Sequence, residues 1–161
     1  MTSLHEAPKR GEIDAAISNA VVGLIREHCG RGPTKARTIH NGKFVLCVLE
    51  DTMTKAERTL ALAGEEDSVL RMRHALQQVM GDEMSAAVEN ATQRKVVAFL
   101  SANHIEPDLA AELFILDEAV AEPGVASIPL DGSGNTLSVP LDGSAGTELG
   151  DGGLPETARS E

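Results

Sequence analysis

The sequence predicts an α+β domain, ordered helix, strand, strand, helices, strand, strand, with a four-stranded antiparallel sheet and helices packed on one face. Three observations predict it: a helical apolar stripe over residues 12–28, an Asn-Gly pair between two strand-like runs, and a longer helical stripe before two further strand-like runs. At 161 residues the chain has room for one domain with a substantial core, and not for two.

The first stripe consists of Ile13, Ala16, Ile17, Ala20, Val21, Leu24 and Ile25, which keep the spacing of one helix face. Gly30 suits the left-handed position that ends a helix, and Pro33 follows where a helix cannot continue. Residues 35–40 and 43–50 flank Asn41-Gly42, a pair that tolerates the positive φ angles of a two-residue turn, and so read as a β-hairpin. In the second strand Phe44, Leu46 and Val48 alternate with Val45, Cys47 and Leu49, so the strand is expected to be central with both faces covered.

Thr52 and Thr54 are placed to cap a short helix over 55–63. Gly64 separates it from a long helix whose start carries Glu65, Glu66 and Asp67, where the helix dipole favours negative charge. Its stripe of Val69, Met72, Leu76, Val79, Met80, Met84, Ala87 and Val88 runs to about residue 90 across Gly81, where the helix is expected to soften or bend. Strands over 95–101 and 113–117 complete the sheet and leave Glu106, Asp108 and Glu112 in the loop between them. That loop reads better as solvated than as a divalent-ion site, for it has no calcium-loop pattern. Helices on one face leave the other bare, and a homodimer is the simplest way to cover an apolar sheet face.

Three segments follow: a flexible N-terminus (1–10), the α+β domain (11–118) and an acidic tail (119–161) rich in Gly, Ser and Pro, without the periodicity that repays ordering. Within the tail SIPLDGSGNTL at 127–137 is followed by SVPLDGSAGTE at 138–148, a two-copy repeat with seven identical positions. Two copies are too few to stack as a solenoid, and a solvated spacer is the expected role.

The chain has 14 Lys and Arg against 25 Asp and Glu, a net charge of -11 that opposes binding to nucleic acid or an anionic membrane. With no Trp or Tyr and three Phe, little is present from which to build a base-stacking platform. No run approaches the roughly 18 apolar residues of a membrane span, so a cytoplasmic location without membrane insertion is expected, with Cys29 and Cys47 as free thiols.

The glycines of GRGPTK at 30–35 follow a helix and face its negative end, whereas a phosphate loop places them before a helix. The same region is locally basic, since Arg26, Arg31, Lys35, Arg37 and Lys43 meet a single acid, Glu27. These bases are candidates for contact with a small anion or an acidic partner; the competing reading is that they neutralise nearby carboxylates such as Glu50 and Asp51. His28, Cys29, His40 and Cys47 lie close in sequence, but adjacent helical residues diverge by about 100°, which disfavours a shared metal. No nucleophile elbow is present in the domain, and His74 and His104 have no evident partner, so neither catalytic residues nor cofactors are expected.

Read together, GRGP at 30–33, the hairpin, Thr54-x-x-Glu57, the long helix carrying Arg73, and RKVVAFLSAN at 94–103 followed by ELFILDE resemble the MpsC-like (YbcI-like) family over about residues 11–118. The positions that carry the resemblance are Gly30, Gly32, Pro33, Thr54, Glu57, Arg73, Arg94, Lys95, Ser101 and Asn103. The family is named for a sodium-translocating, membrane-potential-generating system whose other components look like proteins tied to inorganic-carbon uptake. The resemblance therefore implies a non-catalytic accessory or regulatory subunit of a membrane transport complex, not a pump. Two positions depart from the family pattern: Gln93, where Gly is frequent, and Ala102, where Asp is frequent. The alternative function is a small-ligand sensor or enzyme with a pocket between sheet and long helix, which a fully packed interface there would exclude.

Overall fold

The computed structural model describes residues 9–120, 125–129 and 136–140. The chain divides into two units, Met1–Pro123 and Gly124–Glu161.

In the first unit α1 spans Arg10–Cys29, β1 Lys35–Asn41, β2 Phe44–Glu50, α2 Lys55–Leu62, α3 Glu66–Thr92, β3 Val96–His104 and β4 Leu109–Leu116. The four strands form one antiparallel sheet in the order β1-β2-β4-β3, with the helices on one face, as the sequence predicts. On α1 the buried positions are Ile13, Ile17, Val21 and Ile25, a strict one-turn ladder along a single line. Each such side chain contributes roughly 1.5–3 kcal/mol by leaving water. They meet Val45, Cys47 and Leu49 of β2, Phe114 and Leu116 of β4, and Met80, Met84 and Val88 of α3 in one core. The helix ends at Gly30 with φ +74°, the left-handed position that glycine adopts without strain.

The hairpin differs from expectation by one residue. Asn41 pairs with Phe44, so the two central turn residues are Gly42 and Lys43, and only Gly42, at φ +57°, is left-handed. A positive φ confined to the first central position is the pattern of a II′ turn, which asks for one glycine and not for an Asn-Gly pair.

The last two strands are longer than the apolar runs suggested. The turn is confined to residues 105–108, and β4 begins at Leu109. Glu112 is therefore not a loop residue: it alternates with Ala110, Phe114 and Leu116 on the buried face, at 1 % exposure. Gly81 does not interrupt α3. It is buried, and a β-carbon there would stand 3.2 Å from Phe99 Cδ1, so the glycine serves close approach of helix to sheet.

Within the described residues of the first unit, no helix covers the other face of the sheet. The register aligns Ile39, Leu46, Leu113 and Leu100 as one row across all four strands, with Phe44 and Ile115 in the next row. Ile39, Phe44 and Leu100 are 49 %, 57 % and 52 % exposed. In the second unit two strands, β5 (Val125–Pro129) and β6 (Thr136–Pro140), pair antiparallel. The pairing sets Ser127, the first residue of one repeat copy, opposite Ser138, the first residue of the other. Residues 1–8, 121–124, 130–135 and 141–161 lie outside the described residues, and with them most of the expected N-terminal and tail segments.

Candidate functional site

The chain leaves β2 through a clamped corner. Asp51, at φ +54°, accepts from Arg31 Nη2 and Arg58 Nη2 at 2.8 Å each, and Arg31 Nη1 donates to the Met53 carbonyl. The carboxylate of Asp108, from the β3–β4 turn, accepts from Thr52 Oγ1 at 2.7 Å and from the Met53 backbone N–H at 2.8 Å. Thr54 then caps α2: its hydroxyl accepts from the Glu57 N–H at 3.3 Å, and Glu57 Oε2 accepts from the Thr54 N–H at 2.6 Å.

Glu57 does more than close this capping box. It faces α3, where Arg73 Nε donates to Glu57 Oε1 at 2.8 Å, and both side chains are less than a tenth exposed. Arg73 Nη1 also donates to Thr52 Oγ1 at 2.7 Å and Asn103 Oδ1 at 3.2 Å. Gln77, one turn further along α3, exchanges hydrogen bonds with Asn103 (Nδ2 to Oε1, 2.8 Å; Nε2 to Oδ1, 3.2 Å) and donates to Glu112 Oε1 at 3.1 Å. The result is a continuous buried polar chain from the turn before β4, through α2 and α3, to the middle of the sheet.

Electrostatics differ at the two ends. Burial by itself pushes the Glu57 carboxyl up, but the Arg73 guanidinium and the Thr54 N–H outweigh it and hold Glu57 below the usual carboxylate range. At Glu112 burial dominates, and the polar groups of Ser101 and Gln77 and the charge of Arg73 only partly oppose it. Its pKa is raised to about 7. Glu112 Oε2 and the hydroxyl of its cross-strand neighbour Ser101 are buried, and neither makes a hydrogen bond within the described residues. A cavity of about 40 Å³ opens beside this chain, between α3, the end of α1 and the sheet. Cys29 lines it with a pKa raised by burial and by the nearby Glu57 charge, so the thiol is not activated as a nucleophile.

Five of the positions that carried the family resemblance, Thr54, Glu57, Arg73, Ser101 and Asn103, thus meet in or beside one cluster. Gly30, Gly32 and Pro33 form the neighbouring loop, from which Arg31 reaches the corner. Arg94 and Lys95 lie elsewhere, at the other end of α3, with Arg94 donating to the Ala119 carbonyl and Lys95 paired with Glu89 at 2.9 Å. The basic residues are dispersed. Arg31 is held by Asp51 and Lys35 by Glu50 at 3.0 Å, while Lys43 sits at the hairpin turn, the opposite end of β1 from Lys35. Arg26 and Arg37 are exposed, with no ion pair among the described residues. His28 pairs with Glu83 and His40 with Asp14, on different sides of α1; among the described residues no group of three or more His, Cys, Asp and Glu could hold a metal ion.

Sequence reasoning missed Thr52, Gln77, Asp108 and Glu112 as cluster members. Gln77 stands four residues after Arg73 and so shares its helix face, and Glu112 holds the alternate position of an apolar strand; both signals were present.

No helix of the described residues is long and apolar enough to cross a membrane. No curated protein and no solved structure matches the chain. Residues 9–118, by contrast, match the family described as "Na+-translocating membrane potential-generating system (MpsC)", and the matched span contains the whole four-stranded sheet, the three helices and the polar cluster. The chain belongs to the MpsC family.

Proposed function

We propose that the domain is a non-catalytic accessory module that self-associates through its open sheet face, in the cytoplasm, as part of the sodium-translocating, membrane-potential-generating system of the family description. The observation that carries this reading is the apolar row Ile39–Leu46–Leu113–Leu100 on the face that no helix covers. Four strands at ~4.8 Å spacing and about eight residues at ~3.3 Å rise give a face of roughly 500 Å². Two copies meeting there bury about 1,000 Å², the area at which specific interfaces begin.

Charge favours a second copy as the occupant. The chain carries -11 overall, yet the open face holds only Lys35, Arg37 and Glu50 as formal charges, with Lys35 already paired to Glu50. Two acidic chains meet there without like charges in contact. Arg37, exposed beside Ile39 and Val48, is left to select an acidic third partner at the rim.

Sedimentation equilibrium of the full chain tests the reading. A dimer at tens of micromolar is expected, and Phe44→Glu/Leu100→Glu, which changes only exposed positions of this face, is expected to give a folded monomer. A wild-type chain that is monomeric at that concentration, or a double variant that remains dimeric, overturns it. A reading as a sensor with an internal pocket is favoured separately by the cavity beside Glu112, since the sheet–helix interface is not fully packed.

A further inference from the structure

The cavity between α3 and the sheet has two kinds of wall. Ile25, Leu49, Leu76 and Met80 make it apolar over most of its lining, and Asn103 and Glu112 make one side polar. About 40 Å³ accepts two or three water-sized bodies, more than a single structural water needs. Cys29, Leu76 and Asn103 are the half-buried members of the wall.

The polar side is incomplete. Glu112 is 1 % exposed and its Oε2 has no hydrogen-bond partner, while the amide and guanidinium groups around it are committed elsewhere. Gln77 Nε2 serves Glu112 Oε1 and Asn103 Oδ1, Asn103 Nδ2 serves Gln77 Oε1, and Arg73 serves Glu57, Thr52 and Asn103. A buried carboxyl oxygen left without a partner is costly, and the Ser101 hydroxyl directly across the strand is itself buried without a hydrogen bond, so two polar groups stand together uncompleted. Arg73 and Glu57 neutralise each other, so the wall offers no spare charge to compensate an ion brought out of water.

We propose that this cavity is a binding site for a small uncharged molecule, with a hydroxyl or amide at one end and a body of one to three carbons. The polar end hydrogen-bonds Glu112 Oε2, and the carbons lie against Leu49, Leu76 and Met80. An alcohol or amide group both donates and accepts, so it satisfies Oε2 whether the carboxyl is protonated or ionised. The assignment does not depend on self-association through the sheet face, which lies on the other side of the sheet.

Acetamide is a suitable probe, added to the full ¹⁵N-labelled chain and soaked into its crystals. A molecule of so few atoms is expected to half-saturate on the order of 10 mM. Shifts are expected to be saturable and confined to resonances of the cavity wall, including the side-chain amides of Gln77 and Asn103. In the soaked crystal the amide is expected within hydrogen-bond distance of Glu112 Oε2. Ala110→Leu, which fills the cavity from β4, is expected to weaken binding at least tenfold. Shifts that grow linearly with acetamide and spread over the surface, or a soaked cavity holding water alone, overturn the proposal; the crystal result stands even if Ala110→Leu does not fold.

Discussion

Arg73 Nε lies 2.8 Å from Glu57 Oε1, with both side chains buried, and this pair joins the cap of α2 to the middle of α3. Neither helix contributes much to the other by apolar packing, for the only buried residue of α2 is Glu57 itself. The short helix is therefore held by polar contacts. Removing one partner leaves the other as an uncompensated buried charge, which costs about 3–5 kcal/mol, whereas removing both is far cheaper. Arg73→Met is expected to lose stability in that range by urea denaturation, and Arg73→Met/Glu57→Gln to recover at least half of it. A double variant as unstable as the sum of the singles would show that the two residues do not act as a pair.

Glu112 sets a pH dependence of the opposite sign from Asp51, Glu57 and Glu89. Its folded pKa of about 7 lies above the ordinary value of 4.5, so the folded state holds the proton more tightly than the unfolded state does. The stabilisation is fully present below pH 4.5 and is lost as pH rises through about 7, with a full amplitude on the order of 3 kcal/mol. Glu57, Asp51 and Glu89 are shifted down by their partners and withdraw stability only as pH falls through and below their ordinary range. The charged groups nearest Glu112 are Arg73 of α3 and, through it, Glu57 of α2; Ser101 of β3 and Gln77 are neutral. Urea midpoints are thus expected to fall between pH 5 and 7.5 in the wild type and to stay level in Glu112→Gln. An equally steep fall in the variant would assign the titration to another group.

The order and type of every element in the first unit could be read from periodicity, because Ile13, Ile17, Val21 and Ile25 or the alternation of β2 leave few alternatives. The extent of β3 and β4 could not. Ser101, Asn103 and Glu112 are polar residues on the buried face of strands, and a reading that equates burial with apolar side chains stops the strand where they begin. The same convention hid the cluster: the hydrogen bonds that join its elements span 16 to 56 residues, and only the fold brings them together. Family resemblance located half of it, since Thr54, Glu57, Arg73, Ser101 and Asn103 carried the likeness before any geometry was known. The basic residues show how sequence proximity and spatial proximity differ. Proximity in sequence grouped Lys35 with Lys43, and a β-strand carries such residues to opposite ends of a hairpin.

Gln93 occupies the left-handed position after α3, at φ +56°, with its N–H donated to the Glu89 carbonyl. The family resemblance suggests Gly at this position, and the conformation favours it: a β-carbon is strained there and glycine is not. The Gln93 side chain recovers part of the cost through a 2.7 Å hydrogen bond to the Asn90 carbonyl, which is exposed to water and adds little. Gln93→Gly is expected to stabilise the domain by about 0.5–1 kcal/mol, read as a rise in thermal midpoint. A fall would mean that the side-chain bond outweighs the backbone strain.

Gly81 separates two effects that ordinarily act in the same direction. In an exposed helix interior Gly→Ala gains about 1 kcal/mol from backbone entropy. Here the new β-carbon meets Phe99 Cδ1 at 3.2 Å and Cε1 at 3.4 Å, and the ring cannot turn away freely because it stacks on Phe114 with centroids 5.0 Å apart. Phe114 is fully buried at the centre of the sheet, so a displaced Phe99 disturbs the core itself. Gly81→Ala is expected to show no gain, and Gly81→Val a loss of about 2 kcal/mol or more, with the Phe99 and Phe114 ring resonances shifted in both. If Gly81→Ala were instead more stable by the full propensity difference, the glycine would be there for flexibility of α3 and not for the approach of the helix to the sheet.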